Sequence, residues 1–98
     1  MSIEVTIRHT DVAESMKQHA TEKAAEIMKE FTLAESVRVI LDRQKFLYRA
    51  EFVVQGKHHL RLESSGESEG IIQAIDVALD RIVSQLRKAE KKVQEHRG

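Results

Sequence analysis

Apolar residues recur along this chain with two periods, and the switches between them predict six elements. Over residues 2–8, Ile3, Val5 and Ile7 alternate with Glu4, Thr6 and Arg8, the period-two pattern of a half-buried strand. Val12, Met16, Ala20, Ala24, Ile27, Met28 and Phe31 then repeat at three and four, which predicts an amphipathic helix to about residue 31. Asp11 with Glu14 three residues on is spaced as a capping pair for that helix. Over 36–42, Val37, Val39 and Leu41 point inward, with Arg38, Ile40 and Asp42 outward. Residues 43–45 make a short turn. In a longer strand over 46–55, Phe46, Tyr48, Ala50, Phe52 and Val54 share one face, and Leu47, Arg49, Glu51 and Val53 the other. Gly56-Lys57 reads as a two-residue hairpin turn with glycine at positive φ. A strand over 58–64 follows, with Leu60 and Leu62 inward, and SSGESEG over 64–70 reads as a polar loop.

The last element is the longest. From residue 70 to 92, Ile71, Ile75, Ala78, Leu79, Ile82, Leu86, Ala89 and Val93 gather into one stripe of a helix. Arg81, Lys88 and Lys92 fall together away from it, beside Ser84, Gln85 and Lys91, while Asp76, Asp80 and Glu90 occupy the other flank. Burying the apolar stripe holds the cations in water at fixed spacing, a geometry suited to phosphate.

The order β-α-β-β-β-α, with one apolar face per strand and one stripe per helix, predicts an α+β domain. A four-stranded mixed sheet carries two helices packed on one face. The first two strands run parallel through the helical crossover, and the hairpins make the rest antiparallel. The open sheet face then displays Arg8, Arg38, Arg49 and Arg61 among Glu4, Asp42, Glu51 and Glu63. Those arginines either line up for phosphates or pair with the carboxylates across strands.

Ninety-eight residues make a single domain, 1–98, with the tail from about 94 to 98 expected to fray. The chain has no cysteine, which excludes disulfides and thiolate metal sites. It has no apolar run of membrane-spanning length and no signal-like block at the start, so the expected location is the cytoplasm, with no membrane partner. The formal charge is zero, from 16 basic and 16 acidic residues, which argues against a generic polyanion binder. The balance is uneven, however. Residues 1–35 hold four basic residues against seven acids, and residues 71–98 hold six against four.

Catalytic chemistry finds little footing. The five histidines, His9, His19, His58, His59 and His96, include one adjacent pair, which on a strand would point to opposite faces. The chain lacks HExxH, a glycine-rich phosphate loop and a nucleophile-and-base signature, so neither an enzyme, a cofactor nor a small-molecule substrate is expected. Phe46, Tyr48 and Phe52 suggest a base-stacking platform, but their face is the aliphatic one, and core packing is the expectation.

The element order, with Arg8-His9, Glu22-Lys23, Ala50-Glu51 and above all AIDVALDRIVSQLRKAEKKV over 74–93, resembles the ribosome hibernation-promoting factor family. That family has also been described as sigma-54 modulation proteins or ribosome-associated inhibitors. The most specific part is Ala74-Ile75-Asp76, followed by Asp80-Arg81 and Gln85-Leu86-Arg87-Lys88. The resemblance implies a fold like double-stranded RNA-binding domains. It also implies binding to the small ribosomal subunit, to ribosomal RNA and proteins, in the channel of messenger and transfer RNA. Carried over by position, the RNA-binding residues are Arg81, Arg87, Lys88, Lys91 and Lys92 on the helix and Arg8 and His9 after the first strand; Arg38, Arg49 and Arg61 join them from the sheet. Two positions depart from the family pattern. Gly70-Ile71-Ile72-Gln73 replaces an acidic residue and an aromatic before the last helix, and Ala13 stands where a threonine caps the first. Ending after that helix, the chain is expected to lack the extension by which longer relatives pair two ribosomes. The competing expectation is a protein-interaction module that modulates a sigma factor, or another protein partner, through the open sheet.

Overall fold

The computed structural model describes residues 2–95. The elements are β1 (Ser2–Arg8), α1 (Glu14–Glu30), β2 (Ala34–Gln44), β3 (Leu47–Gly56), β4 (Leu60–Ser68) and α2 (Ile71–Glu95). The strands form one sheet in the order β1-β2-β3-β4, parallel between the first two and antiparallel thereafter. Both helices lie on one face, and between them and the sheet Val37, Val39, Leu41, Ala50, Phe52 and Val54 meet Ala20, Ala24, Ile27, Ala74, Ile75, Ala78, Ile82 and Leu86. The predicted α+β architecture is therefore the one present.

Several local expectations change. α1 begins at Glu14 behind Ala13, without a side-chain cap; the Ala13 carbonyl accepts from Met16 and Lys17 N–H at 3.0 and 3.1 Å. The Asp11–Glu14 capping pair does not form. Phe46 lies in the β2–β3 turn rather than on the strand and is 85% exposed, so it is not a core residue.

The β3–β4 hairpin turns two residues later than the sequence suggests. Leu60 N–H donates to the Lys57 carbonyl at 3.1 Å, and His58 and His59 take φ of 60° and 61°. No described glycine has positive φ. Gly56 serves instead as a close-approach residue, since a Cβ there would overlap the Leu33 carbonyl, which accepts from Lys57 N–H at 3.0 Å.

β4 runs to Ser68, through most of the segment that reads as a polar loop. Its inward positions there are Ser64 and Gly66, and a Cβ on Gly66 would come within 2.7 Å of the Ala74 carbonyl oxygen and Ala78 nitrogen. The small residues let α2 lie directly on the strand, and Ser64 Oγ donates to the Ala78 carbonyl at 2.7 Å. α2 continues through Glu95, and the tail expected to fray lies outside the described residues beyond that point.

Candidate nucleic-acid interface

Twenty-five residues at 1.5 Å rise make α2 about 37 Å long. Its last core residue is Leu86, so its final turns extend past the packed interior. Lys88, Lys91 and Lys92 stand on those turns, all exposed, and none has an ion pair among the described residues. They form a patch of cations spaced three and four apart on a rigid cylinder.

The other two basic residues of the helix are committed elsewhere. Arg81 Nη1 donates to the Ser65 carbonyl at 2.7 Å, and one turn later Gln85 Nε2 donates to the Glu63 carbonyl at 2.8 Å. These contacts tie α2 to the outer strand. Arg87 projects on the side facing α1, where Nη2 lies 3.6 Å from Glu30. On the same side Asp76 accepts from His19 at 3.1 Å. The expected sorting of charge by sign is therefore partial, with Arg87 standing among the acids of the α1 side.

The open sheet face shows its own order in the register. One row across the strands reads Arg8, Asp42, Arg49, Glu67, and another reads Glu4, Arg38, Val53, Glu63. Along the first row charge alternates in sign from strand to strand. Arg49 bridges Glu51 and Glu67 at 3.4 and 3.3 Å, Arg61 holds Glu63 at 3.0 Å, and Arg38 lies 3.8 Å from Glu4. Of the four sheet arginines these three have carboxylate partners: Arg38 and Arg49 pair across strands, as expected, whereas Arg61 pairs along its own strand. Of the apolar residues of this face, Ile40 and Val53 are half-buried and stand diagonally among the charges, while Leu47 at the start of β3 is exposed.

His9 follows β1 with φ of 60°, and its Nδ1 lies 2.8 Å from Asp42 Oδ1. That hydrogen bond holds the Asp42 carboxyl below its ordinary value, helped by the Arg43 backbone N–H and the nearby Arg8 charge, while partial burial opposes the shift. Arg8 and His9 sit where β1 ends, beside the start of β3 and the end of β4. α2 starts at that end and finishes at the other, so the sheet separates Arg8 and His9 from the three lysines. The residues expected to bind RNA thus do not converge on one spot.

A family model described as sigma 54 modulation protein / S30EA ribosomal protein matches residues 3–94. The chain belongs to that family. Among its members, the ribosome hibernation promoting factor of Pseudomonas putida is 26% identical over 94 residues, covering 96% of this chain and 91% of its own length. The factor of the same name from Escherichia coli K12 is 24% identical over 99 residues, covering 98% and 100%. A ribosomal subunit interface protein from Coxiella burnetii has the same fold, with a TM-score of 0.83 at 16% identity over 93% of this chain and 99% of its own. The N-terminal domain of Thermus thermophilus Protein Y gives 0.77 at 21% identity over 90% and 98%. Family membership covers the whole sheet and both helices, so the helix bearing the three lysines is part of the shared fold and not an appendage.

Proposed function

We propose that this protein binds the small ribosomal subunit and inhibits translation during dormancy, by filling the channel that messenger and transfer RNA would occupy. The observation that carries this reading is the exposed set Lys88, Lys91 and Lys92, held on a helix that outruns the core. The names of its relatives support ribosome association. Cations fixed on a rigid helix neutralise phosphates and release counterions, which favours binding and makes it depend on salt. Folded RNA is read largely through shape and backbone, which a row of fixed charges can match. The act is occupancy: no bond is made or broken, and the setting is the cytoplasm.

Arg8 and His9 would give a second, separate contact at the far end of the sheet. Arg38, Arg49 and Arg61 would have to exchange carboxylate partners for phosphate, so their share is smaller. With about four phosphates engaged, log K falls against log salt with a slope of about −3.

The test is sedimentation with ribosomes on sucrose gradients. Wild-type protein should travel with small subunits or whole ribosomes at low salt and leave them at high salt. Lys88→Glu/Lys91→Glu/Lys92→Glu should stay at the top of the gradient while keeping its fold by circular dichroism. Continued co-sedimentation of that triple variant would remove the helix patch from the interface. Wild-type protein that never enters the ribosomal fractions would favour a protein partner, as the sigma 54 modulation label of the family suggests.

A further inference from the structure

The turn between β3 and β4 holds the one consecutive pair of non-glycine residues in the left-handed region among the described residues, His58 and His59. With the Leu60 N–H to Lys57 carbonyl bond, two positive φ values in a row give the sign pattern of a type I′ turn. That turn favours Asn-Gly, because side chains with a Cβ crowd the backbone there; histidine is tolerated at a cost. Both imidazoles are exposed, and neither has a hydrogen-bond or ion-pair partner among the described residues. Backbone strain of this kind, with no side-chain hydrogen bond or ion pair among the described residues to offset it, points to an external use.

Two contacts place the turn relative to α2. Arg81 reaches the Ser65 carbonyl, and four residues later Gln85 reaches the Glu63 carbonyl. Four helical residues and two strand residues both span about 6 Å, so helix and strand keep step in opposite directions. Continued at the same pace, the helix brings position 89 abreast of Arg61. Lys88, Lys91 and Lys92 then flank the start of β4 and the turn before it. Other charges face the two histidines as well. On the hairpin these are Lys57, exposed, and the Arg61–Glu63 pair. α2 adds Glu90. The connection into β2, which packs against Lys57 through Leu33, brings Glu35 and the Glu30 already held by Arg87. Cations dominate the exposed part of this end.

We infer that Lys57, His58 and His59 extend the lysine patch of α2 into one phosphate-binding surface whose charge rises as the medium turns acid. Imidazole is the side chain that changes charge between pH 5 and 8. The inference rests on the RNA-binding reading above and adds to it a site and a pH response. Below neutrality the turn presents more cations to the same polyanion, and the grip tightens.

The experiment measures binding of purified small ribosomal subunits across a salt series at pH 7.5 and 6.0, with the full chain. For the wild type, the slope of log K against log salt should steepen by about 1 to 2 at pH 6.0, one counterion for each imidazolium placed on a phosphate. His58→Asn/His59→Gly supplies the preferred turn. It should raise the melting temperature by a few degrees and show no steepening of its salt slope at pH 6.0. His58→Lys/His59→Lys should show the steep slope at both pH values. A wild-type slope that ignores pH, or an Asn-Gly variant that steepens like the wild type, would overturn the inference. Absence of wild-type binding at both pH values would instead sink the proposed function, and this inference with it.

Discussion

Arg81 and Ser65 are joined by a 2.7 Å hydrogen bond from guanidinium to backbone carbonyl, on a strand that has no neighbour on its outer side. With Gln85 on Glu63, it places side chains from α2 over polar backbone atoms of an edge strand, where another strand could otherwise pair. One cation of the helix is therefore partly structural. Arg81→Ala should lower stability by about 1 kcal/mol in chemical denaturation, whereas the three-lysine reversal should leave the midpoint nearly unchanged. A denaturation curve for each variant separates loss of grip from loss of fold.

Gly66 should tolerate no side chain. A methyl group there meets the Ala74 carbonyl and the Ala78 nitrogen at 2.7 Å, both backbone atoms of α2. Neither can swing aside, so helix and strand must part. Gly66→Ala is expected to cost about 2–3 kcal/mol, read as a lower denaturant midpoint with altered near-ultraviolet dichroism.

Much of the fold is legible in the sequence, and the exceptions share a cause. The alternation of β2 and β3 and the stripe of α2 are visible because large apolar side chains mark the buried face. β4 past Leu62 buries Ser64 and Gly66, whose smallness matters only when a helix is known to lie over them. The His58-His59 turn escapes because histidine does not announce positive φ, and Phe46 because a strand boundary one residue off moves it from core to solvent. At the candidate site, Lys88, Lys91 and Lys92 are readable from helical spacing alone. The pairing of Arg87 with Glu30 depends on where α1 packs, which spacing does not specify.

Asp42 gives a pH-dependent term in stability. Its carboxyl titrates below the ordinary value because His9 donates to it, with the Arg43 N–H and Arg8 adding to the effect. A depressed acid stabilises the fold above the unfolded carboxylate value, near 4, and the contribution fades as pH falls through the folded value. Wild type should therefore exceed Asp42→Asn in stability above about pH 5, and the two should converge in strong acid. Urea midpoints measured from pH 2 to 7 test this, and a constant gap would contradict it.

The sheet arginines and the helix lysines should differ in salt response. Arg38 and Arg61 are held by Glu4 and Glu63, so Arg38→Gln/Arg61→Gln should change the salt slope of ribosome binding by less than about 0.5. Lys88→Gln/Lys91→Gln/Lys92→Gln should flatten it by about 2 to 3. Equal flattening by both sets would mean that the sheet face also engages phosphate.

α2 contributes to folding up to Leu86 and then continues for nine more residues. The segment that closes the interior and the segment that carries the lysines are consecutive lengths of one rod. Substitutions on the outer length should retune affinity at almost no cost to the fold. A lineage can thus loosen or tighten its hold by editing one helix end, leaving the domain behind it untouched.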